Sequence, residues 1–428
     1  MSPNVATEDG KLGRDIAWNI GSLAILGVGG ICQNIIVLRF YDAAVLGVFN
    51  QVFALYIFFS QLAAGGIHLS VLKHVAAKLD NDHAVRQIVC SSMVPASLLA
   101  GLAAWSFAGI RGVAAGWLDS PDVATGIMMA APGLFLFALN KVLLAVLNAE
   151  RRMKEFAIFQ ALRPVCFLVT LLAMTGTGQP GAMLPAMFTV SEVVLFVGLG
   201  SATSPRFRGF WGAVSRRWMK EHLRFGGKAF MSGVLSELNT RVDVLMLGLL
   251  MSDRVVGVYS FVAMIAEGFY QLVVIVRNNF NPILARFLGD DDREGLREFA
   301  RRGRRRTWIW IGISGAVAVL LYPLAIRVLG AVGIGDDLVG SWMIFGLLIG
   351  GIVIASGYLA FFNLLVNAGL PGWHSVMILG VVVFNGVANW LLIPVWGAAG
   401  AAAATGAAYV FAGVILWLMA RILVKVRL

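Results

Sequence analysis

The chain is poor in charge and in cysteine, and it lacks any long polar segment. Only 13% of its 428 residues are charged, about half the share of a soluble domain. No polar stretch is much longer than about twenty residues, which excludes a large soluble domain. Cys32, Cys90 and Cys166 are scattered through apolar segments. They therefore predict neither a disulfide framework nor a metal site, and we interpret them as small packing residues.

Catalytic and nucleotide-binding motifs are also missing. The five histidines lie near predicted loops without metal-ligand spacing, and no Gly-rich phosphate loop carries a lysine. We therefore expect a protein that is not an enzyme and that has no cofactor or bound metal. Residues 1–10 are polar and acidic and do not resemble a cleaved signal peptide.

Long apolar segments make up most of the sequence. Hydrophobic residues account for 59% of the chain, and a membrane-spanning helix needs about 20 mostly apolar residues. We predict an all-α integral membrane protein with about 12 transmembrane helices. The predicted spans are residues 15–38, 43–66, 87–110, 124–148, 156–176, 181–203, 224–250, 254–285, 307–330, 339–368, 374–393 and 398–420.

The net charge of +11 comes from lysine and arginine residues concentrated in every second gap between the spans. The other gaps contain only Arg39, Arg111, Arg254 and Arg327. Because basic loops stay in the cytoplasm, both termini are predicted to be cytoplasmic. Orientation explains the positive charge, so no nucleic-acid partner is expected. The outer loops hold only about four to thirteen residues, which argues against an enzyme at the outer face.

An internal repeat of six spans divides the chain. Residues 44–49, Ala-Val-Leu-Gly-Val-Phe, begin the second span, and residues 254–259, Arg-Val-Val-Gly-Val-Tyr, begin the eighth. We predict an N-terminal six-helix lobe at 1–203, a cytoplasmic linker at 204–223 and a C-terminal six-helix lobe at 224–428. An even number of spans makes the halves parallel, as in many secondary transporters. A chance match between two hydrophobic hairpins is the alternative.

Two stretches carry a family resemblance. The first combines residues 41–49, Tyr-Asp-Ala-Ala-Val-Leu-Gly-Val-Phe, with Gly65-Gly66 and with residues 73–77, Lys-His-Val-Ala-Ala. The second combines residues 241–248, Arg-Val-Asp-Val-Leu-Met-Leu-Gly, with residues 256–259, Val-Gly-Val-Tyr, and with Asn281-Pro282. These motifs resemble the polysaccharide-transporter branch of the multidrug/oligosaccharidyl-lipid/polysaccharide exporter superfamily, the flippases for O-antigen and exopolysaccharide precursors.

The resemblance implies two six-helix lobes around a central cavity with alternating access. It implies a substrate made of an oligosaccharide on polyprenyl pyrophosphate, which moves from the cytoplasmic to the outer leaflet of the bacterial inner membrane for lipopolysaccharide or exopolysaccharide synthesis. Membrane lipids are expected partners, and a glycan polymerase and glycosyltransferases are candidate ones. Since no ATP site is evident, an H+ or Na+ gradient, or consumption of the product, is expected to drive transport.

Cations inside the apolar spans are candidate substrate-binding residues. A charge at the bilayer centre costs about 2.5–3.5 kcal/mol, so it normally faces a cavity or a partner. Lys141, Arg163 and Arg277 lie about seven to eight residues from the inner ends of three different spans. Together with Arg241 they are predicted to bind the pyrophosphate, because guanidinium groups contact phosphate oxygens with two donors. Alternatively, they snorkel to the inner headgroups.

Carboxylates and amides inside the spans are further candidates. A buried, unpaired carboxyl group can carry a proton, whereas structural ion pairing is its alternative role. The ion-coupling candidates are Glu192, Glu237, Asp243 and Glu267. Amides that share a helix face can bind sugar hydroxyls or, alternatively, connect helices by hydrogen bonds. The predicted sugar contacts are Asn363 and Asn367 of the tenth span and Asn385 of the eleventh.

Three other functions are compatible with the sequence. A cation-coupled drug or metabolite antiporter of the same superfamily would use the acidic residues on cationic substrates. A membrane-embedded glycan polymerase or glycosyltransferase is disfavoured by the short outer loops. In a purely structural membrane scaffold the buried charges would have no use.

Overall fold

The computed structural model describes residues 3–331, 333–334 and 336–426, without the side chains of residues 3–17, 19–20, 228–229, 231–233, 235–236, 238–239 and 336. This part of the chain is helical and contains no strand. Its α-helices are α1 (Pro3–Phe40), α2 (Ala43–Ala64), α3 (Ile67–Ala76), α4 (Asp82–Gly109), α5 (Arg111–Trp117), α6 (Pro121–Ala149), α7 (Met153–Gly176), α8 (Ala186–Thr203), α9 (Phe210–Ala213), α10 (Arg216–Leu250), α11 (Asp253–Gly289), α12 (Arg293–Ala331), α13 (Trp342–Leu359), α14 (Leu364–Asn367), α15 (Pro371–Trp396) and α16 (Ala398–Met419).

The predicted all-α membrane architecture is confirmed. Within the described residues, 11 helical segments are long and apolar enough to cross a membrane. The seventh predicted span, residues 224–250, lies within α10, which is not among the 11 and whose side chains are described only in part. The tenth, residues 339–368, is interrupted after Leu359 and resumes in the short α14.

The chain packs as two compact units. The first unit comprises the described residues up to Tyr41 together with Gln51–Val234, and the second comprises Asp42–Asn50 and the described residues from Leu235 onward. The start of α2 therefore belongs with the second unit, whereas the start of α10 belongs with the first. The predicted lobe limits and linker stay a prediction.

Helix α6 is the central helix of the first unit. It packs against α3, α4, α5, α7 and α8. Pro121 opens the helix at a position where its missing N–H costs nothing, and Asp122 in the first turn complements the helix dipole. Buried aliphatic side chains such as Ile88 of α4 and Val142 and Val146 of α6 fill the core between the helices.

Helix α13 occupies the centre of the second unit and packs against α11, α12 and α16. A Cβ added at Gly351 of α13 would lie 2.3 Å from the Cα of Gly406 in α16, so the two backbones touch where a side chain has no room. Lipid tails are as apolar as leucine, so association in the membrane depends on such close van der Waals contact. Gly351 and Gly406 thus contribute to the packing of α13 against α16.

The two copies of the internal repeat contact each other at equivalent positions of their backbones. A Cβ added at Gly47 of α2 would lie 1.8 Å from the carbonyl oxygen of Asp253, and one added at Gly257 of α11 would lie 1.8 Å from the carbonyl oxygen of Ala43. Gly47 and Ala43 correspond to Gly257 and Asp253 by the same shift of 210 residues. A reciprocal exchange of equivalent contacts is what a two-fold relation between elements requires. The contact therefore supports a genuine repeat.

Asp337 stabilises the first turn of α2 within the second unit. Its Oδ2 accepts a hydrogen bond of 3.2 Å from the backbone N–H of Ala43, and its Oδ1 pairs with Arg254 at the start of α11. The carboxyl group of Asp42 caps α2 by accepting from the N–H of Val45 at 2.8 Å. Acidic side chains thus satisfy helix N-terminal donors that have no partner within the helix.

A buried histidine connects three helices of the first unit. His222 of α10 is 0% exposed. Its Nε2 lies 3.0 Å from the carbonyl oxygen of Ile88, and its Nδ1 lies 2.9 Å from the hydroxyl of Ser70. A neutral ring that donates from Nε2 and accepts at Nδ1 satisfies both contacts. Burial away from water lowers the pKa of His222 from 6.5 to about 4.

Acidification is expected to weaken the first unit through this ring. The unfolded chain binds a proton at higher pH than the folded protein, so the stability that neutral His222 supplies is complete above pH 6.5 and is lost as the pH falls toward 4. At pH 5 the loss is about 2 kcal/mol. We expect the thermal midpoint in detergent to fall less between pH 7 and pH 5 for His222→Gln than for the wild type. Parallel pH profiles would contradict this account.

Candidate functional site

An ion pair lies inside the first unit. Arg163 of α7 donates from Nε to Oε1 of Glu192 in α8 at 2.7 Å and from Nη2 to Oε2 at 3.3 Å. Asn140 of α6 donates from Nδ2 to Oε2 of Glu192 at 2.8 Å and to its backbone oxygen at 2.9 Å. Glu192 is 1% exposed and Asn140 is 0% exposed. Three helices thus share one carboxylate, whose charge is compensated on both oxygens.

The ring of Phe137 contacts two of the predicted substrate-binding cations. Lys141 Nζ lies 5.0 Å from the ring centroid, and Arg163 Cζ lies 5.0 Å from the same centroid. Such cation–π contacts are strongest where water is excluded. Tyr56 of α2 meets Phe137 edge to face at 5.8 Å, and its buried hydroxyl has no hydrogen-bond partner among the described residues. The site therefore keeps one hydroxyl available for a ligand or a water molecule.

A second polar cluster lies in the second unit around Arg277 of α11. Arg277 Cζ is 5.8 Å from the ring centroid of Phe362, and His374 meets the same ring edge to face at 5.1 Å. Buried polar atoms without a hydrogen-bond partner in the described part of the chain include Nε of Arg277, Oδ1 of Asn281 and Nδ1 of His374. No carboxylate lies within ion-pair distance of Arg277 among those residues. The cluster thus offers one guanidinium nitrogen, one amide oxygen and one ring nitrogen that have no hydrogen-bond partner among the described residues.

Asp243 of α10 forms a third cluster, also in the second unit. The hydroxyl of Tyr259 donates to its Oδ2, and the hydroxyl of Thr405 donates to the same oxygen at 3.4 Å. The backbone N–H of Val244 donates to Oδ1 at 2.8 Å. Asp243 is 7% exposed, and these three hydrogen bonds come from neutral donors. A small cation or a proton is therefore well suited to neutralise this carboxyl group.

The remaining predicted charges differ in their surroundings. Arg241 Nη1 lies 3.9 Å from Oε1 of Glu267, so the observed ion pair joins α10 to α11. The sequence also allowed a pair between Arg241 and Glu237 within α10, and Glu237 is partly buried. Both members of the observed pair are partly exposed, so the pair stabilises the fold only weakly.

The predicted sugar-binding amides divide into two groups. In α15, Nδ2 of Asn389 donates to both the backbone oxygen and Oδ1 of Asn385 at 2.9 Å, which satisfies the amide of Asn385 locally. Asn363 occupies the N-cap position of α14 without a side-chain capping hydrogen bond, and Nδ2 of Asn367 is buried without a partner among the described residues. Helix α14 packs against α11, the helix that carries Arg277. Of the three predicted amides, Asn367 has the clearest unused donor.

The geometry changes the interpretation of several predicted residues. Arg163 and Glu192, which were predicted to bind substrate and to couple ions, neutralise each other. Sequence reasoning missed Asn140, Phe137 and Tyr56, although a polar residue next to Lys141 in an apolar span was a usable signal. No group of three or more His, Cys, Asp or Glu side chains suited to a metal ion occurs in the part of the chain that the structure describes.

Known proteins share both the sequence pattern and the fold. A family described as "Polysaccharide biosynthesis protein" matches residues 35–311. The structure of the lipid II flippase MurJ in an inward closed conformation superposes with a TM-score of 0.77, at 13% identity, over 95% of this chain and 87% of that chain. A MATE multidrug transporter in an inward-facing conformation gives 0.72, at 14% identity, over 93% and 94%. A MATE transporter variant from Vibrio cholerae gives 0.57, at 14% identity, over 96% of each chain.

The structural comparisons show the fold of this chain, and the family match shows its family. The fold is that of the lipid II flippase MurJ and of the MATE transporter in the inward-facing conformation. The chain belongs to the polysaccharide biosynthesis protein family, and the resemblance seen in the sequence is confirmed. A sequence comparison with curated proteins finds no match.

Replacing one partner of the buried ion pair of the first unit should lower the stability of the protein, whereas replacing both partners should lower it much less. Glu192→Gln leaves a buried guanidinium uncompensated, and we expect a loss of about 3 kcal/mol in stability. Arg163→Met combined with Glu192→Gln removes both charges and should recover most of that loss. Thermal unfolding in detergent of the two single variants and the double variant tests this. Losses that simply add would show that the two residues act independently.

Proposed function

We propose that this protein is a flippase that moves a polyprenyl-pyrophosphate-linked oligosaccharide from the cytoplasmic to the outer leaflet of the bacterial inner membrane. Its family membership and its MOP fold support transport for polysaccharide synthesis. Glycosyltransferases would supply the substrate, and a polymerase or ligase would consume the product. The two units would exchange inward-open and outward-open states, as in other transporters built from repeats.

The single observation that carries the proposal is the cluster around Arg277. A guanidinium inside a span normally has an acidic partner, but none lies within ion-pair distance of Arg277 in the described chain. Its Nε is buried and unused, and Asn281, one turn away, is on the same helix face. A pyrophosphate would supply the missing negative charge and accept hydrogen bonds from the guanidinium. Asn367 would provide a further donor for the phosphate or for a sugar hydroxyl.

Lys141 is the cation of the first unit that we assign to the substrate. Its ammonium group lies against the ring of Phe137, and such a contact retains the positive charge of the side chain. Arg163 has a different role, because it is bound to Glu192 and positions the helices around Lys141. Arg241 is partly compensated by Glu267 and would contact the substrate only when that long ion pair opens.

Removing the charge at both principal cations should stop export. We expect Lys141→Gln combined with Arg277→Gln to lower the amount of surface glycan by about tenfold or more, because each charge-assisted hydrogen bond is worth about 1.5–3 kcal/mol. The measurement is glycan at the cell surface in a deletion strain that carries each variant, at equal protein level. Arg305→Gln, a change at an exposed cytoplasmic arginine, is the matched control. Normal export by the double variant would refute the assignment.

We also propose that Asp243 is the ion-coupling residue, with H+ or Na+ as the ion. A carboxylate this buried is unstable without a compensating charge, and Tyr259 and Thr405 provide oxygen atoms around it. Oxygen donors of this kind suit a hard cation.

Loss of this carboxylate should remove the dependence of transport on the driving ion. In proteoliposomes, we expect wild-type transport to respond to an imposed H+ or Na+ gradient and Asp243→Asn to transport at one slow rate under all gradients. Asp290→Asn removes an exposed carboxylate of the same unit and serves as the control, with the gradient response retained. An Asp243→Asn protein that still responds to a gradient would place the coupling site elsewhere.

Drug or metabolite export is the second candidate function, because a MATE multidrug transporter shares the fold over nearly the whole chain. The two functions separate in a deletion strain. Loss of surface glycan with unchanged drug susceptibility supports the flippase, whereas the opposite result supports the antiporter.

A further inference from the structure

An apolar groove runs along the surface of the first unit between α2, α4 and α10. Phe59 and Leu62 of α2, Leu99 and Leu102 of α4, and Leu223 of α10 line a space of about 400 Å³. Leu102 is 61% exposed and Leu223 is 47% exposed, so the groove opens to the surroundings of the unit. A Cβ added at Gly227, which also lines the groove, would meet no atom within 4 Å. The floor of the groove is therefore unoccupied along α10.

A cationic cavity lies at the start of the same helix. Arg216, Arg217, Lys220 and Arg224 surround a space of about 580 Å³ together with Glu221. Four cationic side chains and one carboxylate leave three excess positive charges. The positive end of the α10 dipole adds to the attraction for an anion. The four cationic residues are exposed, and basic loops of this kind lie on the cytoplasmic side.

The groove and the cavity both involve one face of α10. Lys220, Leu223, Gly227 and Phe230 follow each other at spacings of three or four residues, which keeps them on one side of a helix. Residues 216–230 extend about 21 Å along the helix. A ligand with a charged head and a flexible apolar chain could therefore contact both surfaces at once.

We propose that this face of α10 is a docking site for the polyprenyl pyrophosphate of the lipid carrier, with the pyrophosphate in the cationic cavity and the first isoprene units in the groove. The proposal rests on the proposed function and adds a place where the carrier is captured before it reaches Lys141 and Arg277. The site lies entirely within the first unit, on residues that the flippase assignment does not use.

The chemistry of the surface favours a prenyl pyrophosphate over an ordinary phospholipid. Three excess positive charges match a head that carries two phosphates better than one that carries a single phosphodiester charge. The groove is lined by methyl-rich and aromatic side chains on three helices, and a single branched chain fills such a space with close contact. Both features belong to one ligand, because the head and the chain of a prenyl pyrophosphate are covalently joined.

Binding of geranylgeranyl pyrophosphate to the purified full-length protein in detergent tests the site. We expect Arg216→Gln, Arg217→Gln and Lys220→Gln together to weaken binding by on the order of a hundredfold, since each cation contributes about fivefold. Gly227→Leu should weaken binding of geranylgeranyl pyrophosphate by filling the groove, while binding of inorganic pyrophosphate stays unchanged.

Matched controls separate this site from general charge and bulk. Arg301→Gln, Arg305→Gln and Arg306→Gln together remove three exposed cations from α12, and Gly346→Leu adds the same bulk at a glycine of α13 that also faces open space. Both control proteins should bind like the wild type. Thermal midpoints within the range of the controls confirm that the test variants are folded.

The possible outcomes distinguish a failure of the docking-site proposal from a failure of the proposed function. Selective loss of binding in the two test variants supports the site. Wild-type binding that the test variants retain overturns the docking site and leaves the flippase assignment standing. Equal displacement of the probe by dioleoyl phosphatidylglycerol overturns the choice of ligand. A wild-type protein that binds no geranylgeranyl pyrophosphate overturns both the docking site and the assigned substrate class.

Discussion

The hydrocarbon core of a bilayer contains no water that could hydrogen-bond to a polar side chain. Each polar group inside a span therefore needs a hydrogen-bond partner or a ligand, or it must be in its neutral form. In the first unit Glu192 meets this requirement internally, because it accepts hydrogen bonds from Arg163 and Asn140, whereas the hydroxyl of Tyr56 has no partner among the described residues. In the second unit it is met only in part, since Arg277 and Asn281 keep buried polar atoms without partners among the described residues. Unused hydrogen-bonding capacity, rather than the presence of a charge, distinguishes the expected substrate site from a structural ion pair.

Helices in lipid must also pack closely against each other. Glycine allows this close packing at positions that are equivalent in the two halves of the repeat. Gly47 and Gly257 are equivalent residues of the repeat, and each leaves room for the backbone carbonyl of the other helix. Helix α2 takes part in both units, with its first turns in the second unit and the remainder in the first. Asp337 secures those first turns through Ala43 and Arg254. The repeat motif seen in the sequence is therefore a packing element as well as a family signature.

Local patterns predicted the helices well and the site less well. The limits 43–66 and 398–420 agree closely with Ala43–Ala64 and Ala398–Met419, because the thickness of the bilayer sets the length of an apolar run. Local sequence patterns could not predict which side chains form ion pairs between different helices. Spacing within α10 suggested that Arg241 pairs with Glu237, whereas the ion pair observed joins Arg241 to Glu267 of α11. Arg163 and Glu192 are 29 residues apart on different helices, and no periodicity connects them.

The sequence by itself determined the membrane character of the chain and the repeat, because these follow from the length of apolar runs and from a shift of 210 residues. The position of the basic loops predicts cytoplasmic termini. Only the tertiary structure decided which charges are compensated. It showed Arg163 bound to Glu192, Asp243 bound to neutral hydroxyls, and Arg277 left with an unused donor. The physical reason is that each partner is selected by the rotation and depth of a neighbouring helix, which are set by packing between helices and not by the order of residues within one.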